Sequence, residues 1–184
     1  MGMKRYGRPS KAMQVSLMGL LFALAMALSF FESTLSALMA LPPGVKLGLS
    51  NIVTMYCLFF LGRGPALTLA VLKSLFVLLT RGAVAAAMSL SGGLCSVLVM
   101  LLLLCLPKIS VSYLMISVAG AIFHNLGQLA MARWVIGSSK VFYYLPIMVG
   151  SGIVMGVVTG MILRVMLPYM NKLNLSLDRD SDRE

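Results

Sequence analysis

"LPPGVKLGLSNIV", Leu41 to Val53, places two prolines, two glycines, a lysine and an asparagine between long apolar runs. Its reading decides the fold. Taken as a break, it divides a greasy chain into separate helices. Lys46 and Asn51 are costly if they face lipid, and make sense facing water or a ligand. Pro42-Pro43 stiffens the approach, Gly44 lets the chain turn, and Lys46 opens the helix that follows. The stretch is either a plain loop with a snorkelling lysine or the cover of a ligand pocket.

The surroundings support a membrane protein. The chain has 184 residues, 60% of them hydrophobic, with mean hydropathy +0.98. A soluble domain is about 45–50% apolar. Runs of about 18 residues or more are long enough to cross a bilayer core of about 30 Å. In lipid every backbone polar group must be satisfied internally, which leaves helix bundles or closed barrels. The runs are continuous rather than alternating, so they predict an all-α bundle. Six helices are expected, at about 13–33, 46–61, 65–80, 90–106, 111–135 and 142–167. The segment 34–45 reads as a loop or short dipping helix, and the small-residue stretch 81–93 as a loop or broken helix. Residues 1–12 form a basic flank, 13–168 the membrane domain, and 169–184 a polar tail.

The net charge of +10 excludes little by itself, because the basic residues sit at the ends of apolar runs rather than in a nucleic-acid-binding patch. With six spans the termini share one side. That side then carries ten basic residues against four on the other, Lys46, Arg81, Arg133 and Lys140. The positive-inside rule makes the termini cytoplasmic. Trp134, Tyr143 and Tyr144 fall at the outer interface. Four acids lie in the tail, and Glu32 is the only acid in the body.

Three groups of polar residues stand out. Lys73 lies near the middle of the third helix, where an ionisable group faces a cavity or a partner. It either pairs with Glu32 or contacts a ligand. His124, Asn125 and Gln128 share a face of the fifth helix by their spacing of three and four. They are either interhelical hydrogen bonds or the wall of a polar pocket. Two small-residue ladders, Ala23 with Ala27 and Gly152 with Gly156 and Gly160, suit close helix approach. Cys57, Cys95 and Cys105 lie in apolar runs and read as small buried hydrophobes. The residues imply no metal site and no cofactor.

"PPGVKLGLSNIV", "SLSGGLCSVLVM" (89–100) and "HNLGQ" (124–128) together resemble the Gx transporter family, often labelled heptaprenyl diphosphate synthase component I. That family is similar to the substrate-binding S components of energy-coupling factor (ECF) importers. The resemblance covers about residues 13–168 and implies a six-helix S-component fold in the cell membrane. It implies a pocket near the outer face, and a small-residue face on helix 1, here Ala23 and Ala27, that docks on a transmembrane coupling protein. Two cytoplasmic ATPases, necessarily separate chains since no Walker motif is present, would complete the complex. The synthase label fits the residues poorly. Magnesium diphosphate chemistry needs several carboxylates, and the body has one.

The expected function is therefore non-catalytic: capture of a small, anionic molecule, vitamin-like or isoprenoid-precursor-like, by Lys46, Asn51, Lys73, Arg81, Asn125 and Gln128. The rival is a membrane accessory of prenyl diphosphate or quinone metabolism, or of a redox assembly. The partners expected are a small-molecule ligand, membrane lipids and the importer chains, and no nucleic acid.

Overall fold

The structure, a computed structural model, describes residues 11–38, 48–105 and 112–181, with 166–181 as backbone. Every regular element among them is helical: α1 (Lys11–Leu38), α2 (Asn51–Phe60), α3 (Arg63–Arg81), α4 (Ala83–Leu104), α5 (Tyr113–Ile136) and α6 (Leu145–Ser181). A short 3₁₀ helix, Ser139–Tyr144, leads into α6. All of these except α2 contribute a stretch long and apolar enough to cross a membrane. The chain is an all-α, multi-pass membrane protein.

The contacts fix an up-and-down order. At one end, Cys57 of α2 meets Met18 of α1, Arg63 of α3 meets Cys105 just past α4, and Phe59 meets Tyr113 at the start of α5. At the other, Arg81, the last residue of α3, reaches Ser29 of α1. The start of α1 and the far end of α6 therefore lie on the same side. Large apolar side chains such as Leu20, Phe31, Leu79, Leu102 and Val165 remain exposed and form the lipid-facing surface. Trp134 and Tyr143, each at least 80% exposed, sit at the opposite end from Arg63.

α5 is the axis of the bundle, packed between α4 and α6. Both interfaces are built on glycine. A Cβ on Gly92 would stand 2.8 Å from the His124 carbonyl, and one on Gly127 2.9 Å from the Ser91 carbonyl. On the other side, a Cβ on Gly152, Gly156 or Gly160 would lie 3.1, 2.5 or 3.0 Å from the Cα of Ile122, Val118 or Leu114. Lipid offers no hydrophobic drive for helices to associate, so close packing of small residues supplies it. The helix 6 ladder is thus a packing surface within the bundle.

Several boundaries differ from expectation. The stretch 81–93 is not a loop: Gly82, with φ +87°, makes the corner alone, and α4 begins at Ala83. Ala83, Ala85, Ala86 and Ala87 are strong helix formers. α1 runs five residues further than expected, to Leu38. The backbone of α6 runs on as helix to Ser181, through Pro168 and the acidic tail. The largest difference is α2. It has ten residues, so it extends about 15 Å, half the thickness of a bilayer core. Val53, Met55, Cys57 and Leu58 are all at most 3% exposed. This half-length helix is wrapped by the rest, touching α1, α3, α4 and α6.

Candidate functional site

The short α2 begins deep in the bundle. Lys73, ten residues along α3 from Arg63, is about 15 Å from that helix's start and donates to Ser50 Oγ at 3.0 Å. Ser50 immediately precedes α2, and its side chain makes no capping hydrogen bond to that helix. The first turn of α2 therefore lies near mid-depth. Irregular backbone at such depth is tolerated where it is buried in protein or lines a cavity.

The turn 48–50 is held from two sides. Gly48 N–H donates to Glu32 Oε1, and Lys73 holds Ser50. Gly48 has φ +89°, a left-handed conformation that favours glycine. Glu32 and Lys73 are 1% and 3% exposed. The two ionisable groups that the sequence offers as a possible pair thus grip opposite ends of one turn.

Around this turn the hydrogen-bonding capacity is incompletely used. Glu32 Oε2, both amide atoms of Asn51 and Thr54 Oγ1 are buried without a hydrogen-bond partner among the described residues. Asn51 is 6% exposed and Thr54 1%. Orphaned buried polar atoms cost about 1–3 kcal/mol each. Four such atoms on Glu32, Asn51 and Thr54 call for a physical account, and ordered water is the ordinary one.

The other expected site residues fall elsewhere. Arg81 lies eight residues beyond Lys73 on α3, about 12 Å towards the end away from Arg63. Its guanidinium donates to the Ser29 carbonyl at 3.3 Å. It borders a cavity of about 210 Å³ between α1 and α3, lined also by Ser33, Phe76 and Thr80. Asn125 Nδ2 donates to the Met148 carbonyl at 2.7 Å and to Ser151 Oγ at 3.2 Å, tying α5 to α6. Gln128 bonds His124 Nε2 at 2.9 Å, beside Gly92 of α4, while its Oε1 has no partner among the described residues. The motif "HNLGQ" is thus divided between two interfaces. Lys46 lies outside the described residues. Ala23 and Ala27 both face outward from α1.

An Asn125→Leu substitution is expected to lower stability in detergent by about 1 kcal/mol, the scale of interhelical hydrogen bonds in membrane bundles. Thermal unfolding measures this, and an unchanged midpoint would show that the bond to Met148 is not holding α6.

Residue reading alone did not single out Ser50 and Thr54, and cast Glu32 only as a partner for Lys73. Glu32, the sole body acid, was the available signal. Its partner Gly48 is sixteen residues away and bonds through its backbone, which no side-chain pattern announces.

Searches of curated proteins and of solved structures find no match. A family model does match: the one described as heptaprenyl diphosphate synthase component I aligns with residues 21–166. That span holds the whole candidate site, from Ser29 on α1 to Ser151 on α6, and the chain belongs to the heptaprenyl diphosphate synthase component I family.

Proposed function

We propose that this protein captures a small molecule in the membrane and hands it to an ECF-type importer. The observation that carries the reading is the first turn of α2, buried at mid-depth with Glu32, Asn51, Thr54 and Lys73 around it. Transporters bind cargo near the midplane, where half-helix N-termini point at anionic groups. The N-terminus of α2 and Lys73 together favour an anionic group on the ligand. Lys46 and Arg81 would extend this positive field outward, while Asn125 and Gln128, tied into the α5–α6 and α4–α5 interfaces, are not required by it. The protein has no catalytic role in this reading, since one body carboxylate cannot hold magnesium on a diphosphate.

A second reading has one finding in its favour, the name of the family. In it the protein is a membrane accessory of a prenyl diphosphate synthase. Affinity purification of the tagged protein from its native membrane separates the two. A membrane coupling protein with two ATPases supports import. A soluble prenyl synthase, or no ATPase, overturns it.

Helix α1 offers the docking face in this reading, because Ala23 and Ala27 are exposed. Ala23→Trp with Ala27→Trp is expected to leave the thermal midpoint near wild type and to cut recovery of the coupling protein sharply. A complex of normal yield would mean that this face carries no partner.

The charge asymmetry supports termini in the cytoplasm of a cell-membrane protein. Cysteine labelling from outside, in a cysteine-free background, is expected to reach position 140 and spare position 4. The opposite pattern would invert the orientation.

A further inference from the structure

Resting on the capture reading, we infer that the bound molecule presents an N–H donor beside a hydrogen-bond acceptor, in addition to its anionic group. The inference comes from which atoms stand open around the α2 turn. Glu32 commits Oε1 to Gly48 N–H, leaving Oε2 an acceptor with no donor among the described residues. Asn51 has no partner for Nδ2 or Oδ1 among the described residues. Its Nδ2 lies 3.9 Å from where a Gly48 Cβ would be, so the carboxamide lies beside the same turn that Glu32 holds. A primary carboxamide with both ends open is complemented by an acceptor and a donor side by side.

A simple carboxylate or phosphate does not meet this requirement. It could answer Asn51 Nδ2 and the cation of Lys73, but it places a second acceptor against Glu32 Oε2 and Asn51 Oδ1. An N–H group answers both oxygens. Two kinds of molecule carry it beside an acceptor: one with an ammonium next to a carboxylate, and one with a ring amide or imide. The shared feature is the donor, and the two differ in mass and structure. Water can satisfy such atoms, but a ligand that displaces it must reproduce its hydrogen bonds or lose affinity.

Two substitutions separate recognition from folding. Glu32→Gln keeps the shape and an oxygen for Gly48 N–H, and turns the open acceptor into a donor. Asn51→Leu removes both open atoms, and with them the cost of burying them, so it is expected to fold at least as well as wild type. The probe is the aqueous small-molecule extract of the expression host, incubated with the full chain purified in detergent. Native mass spectrometry then identifies what is retained. Wild type is expected to retain an acid bearing an N–H group. Each variant is expected to retain about tenfold less or lower still, the scale of a lost charged hydrogen bond, at an undiminished thermal midpoint. A retained molecule with no N–H donor, or retention by both variants equal to that of wild type, overturns the inference and leaves capture standing. If wild type retains nothing, capture itself fails and the inference with it.

Discussion

Replacing Gly156 by valine is expected to unfold the α5–α6 pair or to destabilise the protein by about 3 kcal/mol or more, the upper range for overpacking. The Cβ alone would stand 2.5 Å from Val118 Cα, and 3.1 Å from Val118 N. Those are backbone atoms, so no rotamer change relieves the clash and α6 must move away. Gly150 is the matched control, on the same helix with nothing within 4 Å of its would-be Cβ. Gly150→Val should keep the wild-type midpoint within a degree or so. Thermal unfolding in detergent compares the two. Equal midpoints would mean that α5 and α6 do not approach as closely as described.

The second large effect concerns Lys73. Lys73→Met keeps the length and apolar stem of the side chain and removes its charge. It deletes the donor to Ser50 Oγ and, in the capture reading, the cation facing the ligand's anionic group. Loss of a charged hydrogen bond costs about 1.5–3 kcal/mol, so binding of the molecule retained by wild type should weaken by about ten- to a hundredfold or more. Titration calorimetry with that molecule measures it. Arg81→Gln should weaken binding less, because Arg81 is exposed and about 12 Å further along α3. Binding by Lys73→Met at wild-type strength would place the ligand away from α2. Equal losses in both variants would move the centre of the site towards the cavity beside Arg81.

Membrane residence and helicity were legible because they depend on local properties. A run of apolar residues answers to the thickness of a bilayer wherever it sits in the chain. The resemblance carried by "PPGVKLGLSNIV" and "HNLGQ" agrees with the family match for a related reason: polar residues inside such runs are costly, and so stand out. The ladder of Gly152, Gly156 and Gly160 was readable too, since i, i+4 spacing defines one helix face.

Tertiary structure alone decided the rest. Nothing in "SNIVTMYCLFFLG" states that this helix is half-length and buried on nearly every side. Its hydropathy is that of a spanning helix, and its length depends on where Lys73 and Glu32 grip the turn before it. That grip runs through a backbone N–H and a serine hydroxyl, twenty-three residues from Lys73 and sixteen from Glu32. Likewise, Asn125 and Gln128 share a helix face in the sequence but meet different neighbours, because α5 is packed from two sides. The sequence by itself determined that the chain enters the membrane as helices. Which polar groups satisfy one another, and which do not, was decided by helix packing, because a hydrogen bond depends on distances that composition does not contain.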